Sequence, residues 1–272
     1  MNILVPTDFS ENATNAFRYA QAVAKDLGGE ITLLNVVHMQ GLPAATFGID
    51  KFMNMVEETI RKESHKALDE TVATADKGLM ITKRVELTYN IQECLKKVIA
   101  QEKFNLVIAG TKGATGLKKV FIGSNAAGMI DNLPVPVIVV PKDAQYKDHA
   151  HIAYVTDIIG EEIDFPEVIR LARLFKAKAG ILHVDTTGKA NEEEIRTMFD
   201  TIAGKHHFRD YTITVLREKD ILSGIDNFLL THPSDFLCVA PEKKTIFGRF
   251  FDRSLSKELA YQSTLPVLAI KP

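Results

Sequence analysis

The chain writes one plan twice. Near its start, Ile3-Leu4-Val5-Pro6-Thr7-Asp8 resembles Ile152-Ala153-Tyr154-Val155-Thr156-Asp157. Near the ends of the two halves, Leu133-Pro134-Val135-Pro136-Val137-Ile138 resembles Ser263-Thr264-Leu265-Pro266-Val267-Leu268. The first pair is offset by 149 positions and the second by 130, so the second copy is 19 residues shorter. A tandem duplication explains both matches, and it restricts the chain to two versions of one architecture. At 272 residues, each half has ordinary domain size and can bury its own core. The halves are read as residues 1–142 and 149–272, with the boundary in the polar run Pro141–Ala150.

Hydrophobic spacing then sets the class. Residues 2–6 form a short apolar run stopped by Pro6. Ser10 is a helix cap, and Ala13, Ala16, Phe17, Ala20, Val23, Ala24 and Leu27 recur at helical spacing until Gly28-Gly29. Strands are expected at 31–37, 85–89, 106–109 and 135–140. A long charged helix is expected over about 50–76, and a helix capped by Asn90 carries Ile91, Leu95, Val98 and Ile99. The second half repeats the order, with strands 152–155, 180–184, 211–215, 236–240 and 266–270. Its helices are expected at 165–178, where Pro166 suits the first turn, at 221–231, and before the last strand. Only a shorter connecting segment is expected between its second and third strands. Strands alternating with helices imply an α/β fold with a mainly parallel sheet covered on both faces.

Chemistry gathers beyond the fourth strand. Val107-Ile108-Ala109-Gly110-Thr111-Lys112-Gly113 leads, after nine intervening residues, to Gly123-Ser124-Asn125-Ala126. Glycines permit positive φ and let backbone N–H groups approach an anion. Ser124 stands where a helix begins, and helix N-termini favour phosphate. The second copy loses this cradle: Ala240, Lys243, Arg253 and Ser254 stand opposite Gly110, Gly113, Gly123 and Ser124.

Composition excludes some functions. Hydrophobic residues are 46% and charged residues 25%, as in a globular protein, and the net charge of −2 gives no drive towards nucleic acid or membrane. No apolar run approaches the roughly 20 residues of a membrane span. No charged leader precedes the first strand, so a signal peptide is not expected and the cytoplasm is the expected location. Cys94 and Cys238 are expected as packed free thiols. His149 with His151, and His206-His207, lack companions at metal spacing. The Phe52, Met53, Met55 and Val56 cluster reads as a packing face, Phe247, Phe250 and Phe251 as core or interface filling, and Lys118-Lys119 as a solvated pair.

Strand, Pro6-Thr7-Asp8-Phe9-Ser10, the G-x2-G-x9-G-S spacing and a terminal Pro-Val-Pro strand together resemble a tandem universal stress protein over essentially the whole chain. The resemblance implies two Rossmann-like domains, each an open five-stranded sheet of order 3-2-1-4-5. It places the ligand crevice between strands one and four, the switch point. It further implies that Pro6, Thr7 and Val36 meet the adenine edge and that Asp8 lies near base and ribose. Ala109, Gly110, Lys112 and Gly113 would follow the ribose and phosphates, on which Gly123, Ser124 and Asn125 would close. ATP, ADP or AMP is the implied ligand, with magnesium left open as a companion of the phosphates. In the second copy only Asp157 and Ser254 match.

A dinucleotide-binding G-x-G-x-x-G and a P-loop are both absent after strand one, which disfavours a dehydrogenase and a P-loop NTPase. No nucleophile–base–orienter set is visible, so a dedicated enzyme is not expected. The alternatives are an interaction platform for an unidentified regulatory protein, with incidental nucleotide, and a slow ATPase or self-phosphorylating protein. The fifth strands, Val135–Val140 and Leu265–Ile270, are apolar edges that invite antiparallel pairing into an internal pseudo-dimer; association of whole chains stays open.

Overall fold

In the computed structural model one continuous ten-stranded sheet runs through the molecule. The structure describes residues 1–39, 50–111, 123–156, 164–240 and 265–271. The N-terminal half contains β1 (Asn2–Thr7), α1 (Glu11–Leu27), β2 (Glu30–His38), α2 (Asp50–Ala73), β3 (Ile81–Thr88), α3 (Ile91–Glu102), β4 (Leu106–Gly110), α4 (Ser124–Asn132) and β5 (Val137–Val140). The C-terminal half contains β6 (His151–Thr156), α5 (Phe165–Leu174), β7 (Lys178–Asp185), α6 (Glu192–Lys205), β8 (Tyr211–Arg217), α7 (Ile221–Thr231), β9 (Phe236–Val239) and β10 (Val267–Ala269).

Strand order is β3-β2-β1-β4-β5-β10-β9-β6-β7-β8. The first five strands thus have the expected 3-2-1-4-5 order, and the last five have the same order reversed in space. All pairings within a half are parallel. The halves meet through one antiparallel ladder, Val267 opposite Val139, Leu268 opposite Ile138 and Ala269 opposite Val137. Two edges that would each expose unpaired N–H and C=O groups are closed at once.

Alternation along the strands builds two cores. Ile3 and Val5 point to the side of α1, while Leu4 points to the side of α3 and α4. On the first side the apolar residues of α1 join those of α5 and α6 in one continuous layer. The opposite side gathers α3, α4 and α7. Because both faces are covered, β5 and β9 are buried at every residue, VIVV and FLCV.

The connection between the halves is tied to α1. Asn15 Nδ2 donates to the carbonyls of Pro141 and Ala144 at 2.8 and 3.0 Å. Tyr146 donates its hydroxyl to Asp26 Oδ2 at 2.7 Å and packs edge-on against Tyr19. Lys176, from the C-terminal half, reaches Asp26 Oδ1 at 2.9 Å. Asp26 therefore joins α1, the connection and the second half.

Caps fall where the sequence places them at α1 and α3. Ser10 Oγ accepts from Ala13 N–H, Gly28 closes α1 at φ 68°, and Asn90 accepts from Glu93 N–H. Two expectations need correction. The helix expected over 165–178 stops at Leu174, because Lys176 turns left-handed at φ 51° and Ala177 N–H returns to Ala172 O. The segment expected to be a plain connection between β7 and β8 contains α6, capped by Asn191, acidic through Glu192–Glu194 in its first turn, and buried at Ile195, Phe199 and Ala203. The helix expected before the last strand, with Phe247, Phe250 and Phe251, lies outside the described residues. No described helix is long and apolar enough to cross a membrane.

Candidate functional site

The carboxyl ends of β1 and β4 are neighbours in the sheet, and a crevice opens beyond them. Pro6, Thr7 and Asp8 line it from β1, and Ala109 and Gly110 from β4. Val36 of β2 contributes an apolar wall, and Gly123, Ser124 and Asn125 bring the start of α4. Sequence-selected residues from four separate segments thus share one space. Lys112, Gly113, Lys118 and Lys119 lie outside the described residues, as do Asp157, Lys243, Arg253 and Ser254 of the second copy.

Each wall has a local cause. Thr7 is buried, and its Oγ1 accepts from Phe9 N–H at 3.0 Å. Phe9 takes φ 63°, a conformation that costs a non-glycine residue roughly 1–2 kcal/mol. Asp8 Oδ1 accepts from Ser10 N–H at 3.1 Å, so the carboxylate shapes this turn as well as facing the crevice. Asn35, buried in β2, donates its amide to Thr7 O at 2.8 Å and fixes the end of β1.

Gly110 owes its place to packing. A Cβ there would sit 2.7 Å from Asn12 C and O and 3.0 Å from Ala13 N, so the bare backbone lets the start of α1 lie against β4. Neither Gly110 nor Gly123 uses the left-handed region: Gly123 has φ −63°, and among the described residues the positive-φ glycines are Gly28, Gly78 and Gly188. Positive φ, expected of this loop, is absent at both positions.

Ser124 stands where a helix begins, as expected. Gly123 occupies the cap position of α4, and Ser124 is the first helical residue. No side chain caps this helix, whereas α1, α3, α6 and α7 are capped by Ser10, Asn90, Asn191 and Asp220. The other described N-terminus without a side-chain cap bond, that of α5, carries proline in its first turn. The start of α4 therefore presents backbone N–H groups and the positive end of the helix dipole to the crevice. Gln92 holds it there by donating to Asn125 O at 3.4 Å, with its amide lying where a Cβ on Gly128 would be.

Sequence reading missed several lining residues: Ala13, Ile91, Leu95, Thr111, Ala126 and Met129. Ile91 and Leu95 are one helical turn apart and were assigned to the core by their spacing alone. Asn35 was missed as an anchor, although a lone amide in the run Ile-Thr-Leu-Leu-Asn-Val-Val is the kind of buried polar group that needs a partner. The expected packing face of α2 divides: Met53 is buried, while Phe52 and Met55 are 55% and 57% exposed.

Comparison with known proteins decides the family. The universal stress protein family matches residues 1–141. The chain belongs to that family. Universal stress protein MJ0531 of Methanocaldococcus jannaschii is 29% identical over 144 residues, covering 52% of this chain and 81% of the relative. Universal stress protein Slr1230 of Synechocystis is 25% identical over 212 residues, covering 71% of each. A crystal structure of a universal stress protein from Archaeoglobus fulgidus aligns with 99% of this chain and 96% of its own, with a TM-score of 0.62 at 17% identity. That alignment extends the likeness in fold through the C-terminal half of this universal stress protein.

Proposed function

We propose that the N-terminal half binds an adenine nucleotide, ATP or its ADP and AMP relatives, and that this binding serves stress response or regulation in the cytoplasm. The uncapped start of α4, facing the ends of β1 and β4 across the crevice, is the observation that supports this reading best. Phosphate at such an end accepts several N–H groups and meets a favourable dipole. Val36, Ile91, Leu95 and Met129 supply an apolar wall for a flat base. The cavity volume is about 160 Å³, below the roughly 300–1,000 Å³ of most small-molecule sites. A nucleotide seated here therefore keeps part of itself beyond the described walls.

Asp8 is the one ionisable side chain among the described lining residues. That supports a site that holds a nucleotide rather than one organised to cleave it. Magnesium fits as a companion of polyphosphate, since Asp8, Ser124 and Asn125 offer oxygens to a hard cation. The test is a mass spectrum of freshly purified, denatured protein. An adenine nucleotide in stoichiometric amount supports the reading; its absence, together with no uptake of added ATP, ADP or AMP, defeats it.

A further inference from the structure

The opposite, amino edge of the sheet differs between the halves. Lys178 pairs with His151 in the C-terminal half where Glu30 pairs with Asn2 in the N-terminal half. Two residues along, Gly180 pairs with Ala153 where Thr32 pairs with Leu4. The corner behind them is equivalent by hydrogen bonding. Asn105 N–H donates to Asn2 O and Asp235 N–H to His151 O, while Asn2 and His151 N–H donate back to the Asn105 and Asp235 side chains. The same offset of 130 sets His232 opposite Glu102. Two acidic positions of one half are thus basic-type positions in the other.

In the acidic corner Glu102 is neutralised by Arg84, which also pairs with Glu86 at 2.7 Å; the cations of the basic corner are not neutralised in this way. Among the described residues neither Lys178 nor Arg209 forms an ion pair, and both are exposed on the rim of a cavity of about 420 Å³. Asp210 is the one carboxylate among the lining residues, and the adjacent Asp235 is engaged by Lys147 at 2.9 Å.

The base of this cavity is apolar and tightly packed, with Phe228, Ile152 and Ala179 all buried. Phe228 lies against the bare backbone of Gly180, where a Cβ would stand 3.0 Å from Cζ. The His232 ring stacks on Phe228 with centroids 4.2 Å apart and planes 4° apart, so it covers one face of the buried phenyl and leaves the half-buried imidazole to line the cavity. Ile152 and Ala179 complete the base. The volume falls within the roughly 300–1,000 Å³ of small-molecule sites, which pair apolar walls with a few convergent polar groups.

We propose that this amino-edge cavity binds a small aromatic anion, with the ring over Gly180 and the His232 imidazole and the carboxylate, sulfonate or phosphate group between Lys178 and Arg209. The site is independent of the nucleotide crevice, which belongs to the other half and the other edge of the sheet. Charge complementarity selects the anion, and the tightly packed apolar base selects a flat body over a branched one.

Titration of the full chain with 8-anilinonaphthalene-1-sulfonate tests it, beside the uncharged N-phenyl-1-naphthylamine. The anionic probe should bind saturably, at least tenfold tighter than the neutral one. The double substitution Lys178→Glu and Arg209→Glu, both on exposed side chains, should weaken the anionic probe at least tenfold and leave the neutral one within twofold. Reversal of a remote exposed charge, Lys66→Glu, should change neither. Equal affinity for the two probes, or an unchanged affinity in the double variant, overturns the proposal.

Discussion

Gly110 and Ala240 hold the same place in the two halves, and a single methyl group separates them. In the N-terminal half the methyl is forbidden, because α1 begins 2.7 Å from where it would stand. In the C-terminal half the methyl is present and buried. Equivalent positions elsewhere diverge in the same manner: Asn35 ties the end of β1, whereas His183 stands beside Thr156 at the end of β6. Cys94 of α3 becomes Gly224 of α7, whose missing Cβ makes room for the Val184 side chain 2.7 Å away. The shared features are backbone pairings and the return bonds of Asn105 and Asp235. Duplication has kept what closes the sheet and released what faces the crevices.

The comparison breaks most severely at the seam. Val137 is fully buried between Val107 of β4 and Ala269 of β10. Val137→Asp leaves an unpaired charge there and should cost about 3–5 kcal/mol in urea denaturation. If the halves are one cooperative unit, both unfold together in this variant; separate transitions with an unaltered C-terminal half would show that the seam is not what joins them.

The methyl itself comes next. Gly110→Ala should destabilise by about 1–3 kcal/mol through overpacking against α1. The reciprocal Ala240→Gly should cost only about 1 kcal/mol or less. Equal costs, read from denaturation midpoints, would remove the asymmetry argued for these two sites.

A comparable effect separates the strand anchors. Asn35→Ala removes the tie to Thr7 O and should cost about 1–3 kcal/mol, with weaker nucleotide binding. His183→Ala should leave nucleotide affinity unchanged, and a loss of affinity there would place the ligand in the wrong half.

Acid gives the mildest contrast. Hydrogen bonds from Lys176 and Tyr146 hold the Asp26 carboxyl below its usual range. In Asp185, burial works to raise the pKa, but bonds from Ala190 N–H, Thr187 and Gly188 N–H bring it down to about 2. A depressed carboxyl contributes stability above its unfolded pKa, near 3.9, and loses it as pH falls through the folded value. Stability should therefore decline between about pH 4 and pH 2. Asp26→Asn, removing an exposed-type ion pair, should cost about 1 kcal/mol or less at pH 7 and shrink that decline. An identical acid profile in the variant would discard Asp26 as the tie between halves.

Much of this was legible in the sequence because it rests on local rules. The Ser10 and Asn90 caps, the Gly28 stop and the apolar runs act within a few residues, and the family resemblance implied the strand order. The crevice was legible because its residues follow strand ends that the order makes neighbours. What was not legible depended on distant partners. Gly110 lines the crevice, but the constraint that keeps it bare comes from Asn12, almost a hundred residues away in the chain. The bare cap position at Gly123, one residue before Ser124, follows from no residue pattern in the loop. The α6 helix carries its own local signal in Asn191, three glutamates and Ile195, Phe199 and Ala203, even though the second copy is the shorter one in this connection.

Calorimetric titration of the full chain with ATP tests the difference between the halves most directly. The account predicts about one site per chain. It further predicts at least tenfold weaker binding in Gly123→Asp, whose carboxylate would cap α4 in place of phosphate at unchanged or slightly raised thermal stability. Gly123 already has φ −63° and ψ 157°, which an aspartate adopts freely. Two equivalent sites per chain, no binding at all, or wild-type affinity in the folded Gly123→Asp protein would contradict it.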